Sequence, residues 1–133
     1  MSEWTRKQRQ SQSQFTILYV DDEPLVLSAW AELIETAGYR VLTANGGRDA
    51  MRLFLAVQVH LVILDYAMPG MTGAAIAAQI KQIDGDVPLI LHSGGSSTIT
   101  QEELLLFNCF IPKSNTLSVL LKAIQEALPA SLD

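Results

Sequence analysis

The sequence is poor in cysteine, with Cys109 as its single thiol in 133 residues. One cysteine excludes an internal disulfide, and such scarcity is typical of proteins from a reducing compartment. Long apolar runs are also missing, because no stretch reaches the roughly 20 residues that a membrane-spanning helix needs. The first residues lack the pattern of a signal peptide. We therefore expect a cytoplasmic protein that does not enter a membrane.

Positive charge is scarce as well. The chain has 9 Lys and Arg residues against 14 Asp and Glu residues, which gives a formal net charge of −5. An acidic domain lacks the electrostatic attraction on which nucleic-acid binding depends, so we expect no nucleic-acid partner for this domain. The stretch 1–14 is different, because it is rich in Gln and Ser and contains Arg6, Lys7 and Arg9. This composition predicts a disordered polar tail at 1–14, followed by a folded domain at 15–130.

What the sequence does contain is a series of short apolar runs separated by helical patterns. The runs are typical of buried strands in a parallel sheet, and they cover 15–20, 39–44, 60–65, 87–92 and 109–111. Five helical patterns alternate with them. The fourth opens at a capping box with Thr100 as the cap and Glu103 three residues later, and it is only about two turns long. The alternation predicts one α/β domain, a doubly wound five-stranded parallel sheet with helices on both faces.

Polar side chains stand at the ends of four of these runs. Asp21 and Asp22 follow the first run, and Asp65 ends the third. Ser93 follows the fourth run and Lys113 follows the fifth. Because ligands bind outside the carboxyl ends of the strands in such sheets, we expect these side chains to converge on one rim. An acidic pair, a lone acid, a hydroxyl and an amine suit a divalent cation together with a phosphoryl group.

The carboxylates alone leave more than one interpretation open. Two carboxylates about 5 Å apart repel each other by roughly 3 kcal/mol at an effective dielectric constant near 20. Either one of them has a raised pKa, or a hard cation such as Mg²⁺, which prefers oxygen ligands, neutralises them. A structural alternative is that Asp21, Asp22 and Glu23 only cap the helix that begins at Pro24. This alternative does not explain why Asp65 also ends a buried strand.

In this order, the segments resemble the receiver domain of bacterial two-component response regulators. The resemblance spans roughly 15–130 and rests on Tyr19-Val20-Asp21-Asp22-Glu23-Pro24, Leu64-Asp65-Tyr66-Ala67-Met68-Pro69-Gly70-Met71-Thr72-Gly73, Leu91-His92-Ser93-Gly94 and Phe110-Ile111-Pro112-Lys113. An Asp-Asp pair alone is weak support, whereas the Asp-x-x-Met-Pro-x-Met-x-Gly segment between the acid pair and the late lysine is highly specific. The resemblance implies a CheY-like, flavodoxin-like sheet with strand order 2-1-3-4-5.

The resemblance also implies a role for each site residue. Asp65 would accept a phosphoryl group from a histidine kinase or a phosphotransfer protein. The domain would not otherwise be an enzyme, apart from its own phosphorylation and autodephosphorylation. Lys113 would supply a positive charge to a phosphate oxygen, and Ser93 would donate a hydrogen bond to the phosphoryl group. Mg²⁺ would be the cofactor, held by Asp21, Asp22, Asp65 and the backbone carbonyl of Ala67, with Asp22 as a direct ligand.

The output of such a domain would be a change in the conformation of one of its surfaces. Phe110 matches the switch aromatic of the family, which turns inward once the hydroxyl of Ser93 moves. The alternative for Phe110 is a plain core residue. Phosphorylation would favour a minor conformation of helix four, strand five and helix five, and this surface would bind a downstream protein or a second copy of the chain.

Three features depart from the family pattern. Ser114 stands where a proline usually follows the lysine, so either the Lys113-Ser114 peptide bond is cis or the loop takes another path. The segment 93–113 is short, which predicts a stunted or loosely attached fourth helix, and the leucines at 104–106 cannot all face inward. Ala67 and Gly95 cannot orient a water, so we expect access alone to control loss of the phosphoryl group.

Other classes of protein fit the residues less well. A flavin-binding electron carrier would need a hydroxyl- and glycine-rich phosphate cradle after the first strand, where Asp21-Asp22-Glu23 stands instead. A phosphatase that uses an aspartyl phosphate would need a second acid at position 67. A degenerate receiver, acting as a phosphorylation-independent interaction module, stays open. Treatment with acetyl phosphate or beryllofluoride plus Mg²⁺ would distinguish it from a working receiver.

Overall fold

The computed structural model describes residues 12–94 and 98–132 and contains a five-stranded parallel sheet. The strands lie in the order β2-β1-β3-β4-β5, as expected from the resemblance. Their bounds are β1 Thr16–Val20, β2 Arg40–Ala44, β3 Leu61–Leu64, β4 Leu89–Ser93 and β5 Cys109–Pro112. Every residue of β1, β3 and β4 is buried. These strands are mostly apolar because helices cover both faces of the sheet.

Five helices alternate with the strands in the described part of the chain. Their bounds are α1 Pro24–Glu35, α2 Gly47–Ala56, α3 Gly73–Ile83, α4 Gln101–Leu104 and α5 Leu117–Ala127. The predicted doubly wound architecture is therefore confirmed. None of these helices combines the length and the apolar character that crossing a bilayer would require.

The alternation of side chains along each strand divides the core into two clusters. On one face, Leu18, Val62 and Leu89 pack with Ile76 and Ile80 of α3. On the other face, the intervening strand residues pack with α1 and α5, and this second cluster includes Ile17, Tyr19, Ile63, Ile90, Ile34 and Leu120. Both clusters extend to the carboxyl ends of the strands, so the rim of the sheet rests on a rigid, closely packed base.

Local sequence signals define several helix ends. Pro24 occupies the first turn of α1, and Gly38, with φ of 104°, follows the end of this helix in the left-handed region that favours glycine. The hydroxyl of Thr72 accepts a hydrogen bond from the backbone N–H of Ala75 and caps α3. The predicted capping box of α4 is present in both directions between Thr100 and Glu103.

Helix α4 is shorter than the two turns that the sequence predicts. It has 4 residues, and the backbone then continues in tight turns as far as Phe107. The next residue, Asn108, already bonds to Leu89 through both its backbone N–H and its side chain, which begins the pairing of β5 with β4. The expectation for the leucines is confirmed, because Leu105 is 84% exposed while its two neighbours pack against the core.

Some predictions fall at the boundaries of the described residues. The described residues contain no cis peptide bond, so Lys113-Ser114 is trans and the loop takes the second of the two predicted paths. Most of the predicted tail, residues 1–11, lies outside the described part of the chain, as does Gly95. At the described end, the carbonyl of Ser13 accepts a hydrogen bond from Arg40 Nε at 2.9 Å.

Candidate functional site

The carboxyl ends of four strands bring the predicted polar residues together. Asp21 follows β1, Asp65 follows β3, and the backbone N–H of Asp65 donates to the carbonyl of Val20 at 3.0 Å. Ser93 is the last residue of β4, and its carbonyl accepts a hydrogen bond from the backbone N–H of Lys113 at 3.0 Å. The pairing of neighbouring parallel strands therefore places these residues side by side on one rim.

Three carboxylates form a compact cluster on this rim. Asp21, Asp22 and Asp65 each contribute an oxygen, and these atoms all lie within 4.8 Å of one another. Asp21 is fully buried, Asp65 is nearly so, and Asp22 is partly exposed. Asp21 Oδ1 also accepts a hydrogen bond from the backbone N–H of Glu23 at 3.0 Å. The helix-capping alternative is wrong, because Glu23 is the N-cap of α1 and no side chain makes a capping hydrogen bond there. It also does not explain the approach of Asp65.

Lys113 is the cation that faces this cluster. Its ammonium group forms an ion pair with Asp21 Oδ2 and lies 3.5 Å from Asp65 Oδ1. The lysine side chain is 19% exposed, so water screens these charges only in part. One ammonium group cannot neutralise three carboxylates, and the site keeps an excess of negative charge.

The environment of Asp65 shifts the pKa of its carboxyl upward. Burial raises the pKa of this carboxyl, and the neighbouring Asp21 raises it further. Lys113 and a hydrogen bond from the Ser93 side chain act in the opposite direction, but the net pKa is still raised. A raised pKa on one member is one of the two expected ways to relieve repulsion between carboxylates.

The loop after Asp65 is shaped by a close approach of two backbone segments. A Cβ atom on Gly73 would lie 2.1 Å from the carbonyl oxygen of Asp65, and the Gly73 N–H donates to the carbonyl of Tyr66 at 2.8 Å. Gly70 has φ of 83°, which favours glycine. The glycine that ends the Asp-x-x-Met-Pro-x-Met-x-Gly segment therefore lets α3 begin directly against Asp65. Ala67 lies two residues after Asp65 and is exposed.

Phe110 lies on β5, the strand at the edge of the sheet. It is half-buried, stands opposite Leu91 of β4, and packs against the core cluster that contains Tyr66 and Phe107. The proposed switch residue is therefore neither fully exposed nor fully enclosed.

Two groups of residues near the rim were not predicted from the sequence. The hydroxyl of Tyr66 donates to Glu103 Oε1 of α4 at 3.1 Å, a pair separated by 37 positions in the chain. Beneath the rim, His92 Nδ1 and the Tyr19 hydroxyl are hydrogen-bonded at 2.8 Å, and the ring of Trp30 meets that of His92 edge to face at 4.5 Å. Most of these residues fall within the segments of the resemblance or in the capping box, but nothing in those patterns pairs them, so only proximity in the fold reveals the two contacts.

The donor set on the rim fits a magnesium ion. All three side chains offer oxygen atoms, which Mg²⁺ prefers, and the partial exposure of Asp22 leaves room for water ligands. The excess of negative charge that remains after pairing with Lys113 also favours a divalent cation.

Comparisons with known proteins identify the family of this chain. The family model for the response regulator receiver domain matches residues 17–125. Response regulator RR06 of Streptococcus pneumoniae serotype 2 is 30% identical over 111 residues, which cover 82% of this chain and 51% of that protein. The transcriptional regulatory protein GlrR of Escherichia coli K12 is 30% identical over 118 residues, which cover 86% of this chain and 26% of that protein. This chain thus spans about half, or less, of the length of these relatives.

Solved structures give the same result for the fold. The response regulator protein TrrA of Thermotoga maritima, in complex with Mg²⁺ and BeF, superposes with a TM-score of 0.81 at 30% identity, covering 86% of this chain and 99% of that chain. TrrA in complex with the histidine kinase ThkA gives a TM-score of 0.80 with the same identity and coverage. The strand order, the family match over 17–125 and these neighbours lead to one conclusion: the chain belongs to the response regulator receiver domain family of two-component signalling.

Proposed function

We propose that this chain is a phosphoacceptor receiver domain in which Asp65 takes a phosphoryl group from a histidine kinase or a phosphotransfer protein. One observation carries the proposal. Asp65 shares a cluster of carboxylate oxygens, all within 4.8 Å of one another, with Asp21 and Asp22, and Lys113 faces two of the three acids. A buried carboxylate in such a site has a nucleophilic oxygen, a place for a cation and a positive charge in reach of the incoming group.

Mg²⁺ is the cofactor of the proposed reaction. Asp21, Asp22 and Asp65 would hold it, together with the backbone carbonyl of Ala67. When bound, the ion would neutralise negative charge on the oxygens of the transferring phosphoryl group. The complex of the related TrrA with Mg²⁺ and BeF supports this assignment.

The chemical step needs little from the protein beyond position and charge. A carboxylate oxygen of Asp65 forms a bond to phosphorus while the bond between phosphorus and the donor histidine nitrogen breaks, and that nitrogen keeps the electron pair. The product is an aspartyl phosphate. The Lys113 ammonium, already 3.5 Å from Asp65, would pair with a phosphoryl oxygen, and the Ser93 hydroxyl would donate a hydrogen bond to another.

The environment of Asp65 affects how readily its carboxylate reacts. Burial raises the pKa of this carboxyl, so the ionised, nucleophilic form is less favoured than in an exposed aspartate. Lys113 favours the ionised form, and so would a bound cation. The proposed reaction should therefore depend on Mg²⁺ both for charge on the phosphoryl group and for ionisation of the nucleophile.

The proposed partner upstream is a histidine kinase, as in the complex of the related TrrA with ThkA. The proposed output surface comprises α4, β5 and α5, where Phe110 would act as the switch and a downstream protein or a second copy would bind. No enzymatic activity beyond the chain's own phosphorylation and autodephosphorylation is proposed. The cytoplasmic location and the lack of a nucleic-acid partner for this domain stay predictions from the sequence.

The test is the intact mass of the protein after incubation with acetyl phosphate and Mg²⁺. We expect the mass of one phosphoryl group to be added to the wild type, and nothing to be added to Asp65→Asn or to the wild type without a divalent cation. A wild type that gains no mass, or an Asp65→Asn variant that gains as much, would contradict the proposal. The first of these results, with no beryllofluoride binding, would favour the degenerate interaction module.

A further inference from the structure

The side chain of Tyr66 connects the phosphoacceptor loop to α4. Tyr66 directly follows Asp65 in the chain and is buried, with 8% of its surface exposed. Its hydroxyl donates to Glu103 Oε1 at 3.1 Å, and the Thr98 side chain makes a further hydrogen bond to it. Burial and the bond to Glu103 raise the pKa of Tyr66, so the phenol keeps its proton and donates it.

The acceptor of this bond is also part of the capping box of α4. Glu103 Oε1 accepts a second hydrogen bond from the backbone N–H of Thr100 at 3.0 Å, while the Glu103 N–H donates to Thr100 Oγ1 at 3.0 Å. Helix α4 has only 4 residues, and none of them is fully buried. A helix this short has little stability of its own, so its position depends on such attachments.

The chain between Ser93 and α4 is thus attached at both ends. At one end the Ser93 side chain makes a hydrogen bond to the Asp65 carboxylate. At the other end Thr98 and Glu103 bond to the hydroxyl of Tyr66. Both attachments end on adjacent residues of the same loop, Asp65 and Tyr66.

We propose that Tyr66 and Glu103 form a latch that stabilises the position of α4 while Asp65 carries no phosphoryl group. The inference rests on the proposed function of Asp65. Both residues are positioning residues, because they act on the loop and on α4 and do not touch the reacting atoms.

The direction of the effect follows from the contacts of Ser93. The Ser93 side chain bonds to the bare carboxylate, and a phosphoryl group on Asp65 would occupy the space beside that carboxylate. Ser93 then has to shift, whereas the latch bonds hold Thr98 and Glu103 in their present positions. The latch therefore stabilises the unphosphorylated arrangement alone, and its removal raises the fraction of molecules that can accept the ligand.

The experiment uses beryllofluoride with Mg²⁺, a mimic of the phosphoryl group, titrated against four proteins and followed by calorimetry. Tyr66→Phe removes only the hydroxyl and leaves the capping box in place. Because one hydrogen bond to a carboxylate is lost, we expect it to bind beryllofluoride about threefold to tenfold more tightly than the wild type. Glu102→Gln is the control for loss of a negative charge from α4, since it changes the exposed neighbour of Glu103, and its affinity should equal that of the wild type.

The double variant Tyr66→Phe with Glu103→Ala tests whether the two residues act as one unit. If they do, the double variant binds beryllofluoride no more tightly than the single variant Tyr66→Phe. Thermal unfolding without beryllofluoride gives a second measurement, in which Tyr66→Phe should melt at a lower temperature than the wild type. A residue with a purely structural role would lower both the melting temperature and the affinity, whereas the latch lowers the first and raises the second.

The outcomes separate the latch from the function on which it rests. A wild type that binds no beryllofluoride contradicts the proposed function itself. A wild type that binds it, with Tyr66→Phe binding equally or more weakly, contradicts the latch and leaves the proposed function standing. A double variant that binds beryllofluoride more tightly than Tyr66→Phe would also contradict the latch.

Discussion

The ion pairs of Lys113 should dominate the stability of this protein when no divalent cation is bound. At 3.5 Å, the attraction between Lys113 and Asp65 amounts to about 5 kcal/mol at an effective dielectric constant near 20. By the same relation, two carboxylates 4.8 Å apart repel by roughly 3.5 kcal/mol. The lysine therefore offsets a repulsion of similar size, and its removal leaves Asp21 and Asp65 buried without a cation.

The perturbation is Lys113→Met, which removes the charge and keeps a flexible apolar stem. Two effects offset part of the lost attraction. The ammonium no longer has to be desolvated, and the carboxylates can take up protons. We expect a net loss of about 3 kcal/mol in the free energy of unfolding without Mg²⁺, at the lower end of the cost of breaking a buried ion pair. With a urea slope of about 1.5 kcal/mol per molar, the unfolding midpoint would fall by roughly 2 M.

Two further variants test the cause of this loss. Lys122→Met removes an exposed lysine from α5 and should change the free energy of unfolding by no more than about 0.5 kcal/mol. Asp65→Asn in the Lys113→Met background removes one of the unpaired charges and should restore part of the lost stability. Mg²⁺ should stabilise Lys113→Met more than the wild type, because no ammonium competes for the carboxylates. Equal midpoints for the two lysine variants, or no recovery with Asp65→Asn, would refute the electrostatic argument.

Two other predictions concern the base of the site. Burial, followed by the charge of Lys113, lowers the pKa of His92 to about 4, so the folded protein binds a proton there less readily than the unfolded chain, whose histidine pKa is near 6.5. The stabilising contribution is complete above pH 6.5 and is lost as the pH falls towards 4, so urea midpoints should report a loss of about 2 kcal/mol between pH 7 and pH 5. His92→Phe should reduce this slope, and an unchanged slope would show that other groups cause it. For Gly73→Ala, the new methyl group would meet the backbone oxygen of Asp65 at 2.1 Å, and we expect a loss of about 3 kcal/mol or more in thermal or urea unfolding. Gly85→Ala, whose nearest contact would be 3.7 Å away, should unfold like the wild type, and similar losses in both variants would contradict the steric argument.

The fold could be predicted from the sequence because the central strands of the sheet are covered by helices on both faces, which requires mostly apolar side chains. Residues of β1, β3 and β4 are all buried and mostly apolar, which is typical of a parallel sheet covered on both faces. Helix signals such as Pro24 and the capping box at Thr100 are local, and they act over distances of three or four residues.

The length of α4 could not be predicted in the same way. The capping box defines where this helix begins, but its end depends on Asn108, whose backbone and side chain both bond to Leu89 on β4. That bond exists only once the sheet has formed. The tertiary structure thus ended the helix after 4 residues, where local propensity indicated about two turns.

The sequence by itself determined which chemical groups this protein has and that they meet on one rim. Each polar residue stands at the carboxyl end of a parallel strand, and these ends lie along the same edge of the sheet. Only the tertiary structure decided how these groups divide their interactions. Lys113 faces Asp21 and Asp65, burial raises the pKa of Asp65, and Tyr66 reaches Glu103 across 37 positions. These properties depend on distances and on the exclusion of water, and residues far apart in a chain acquire both only when it folds.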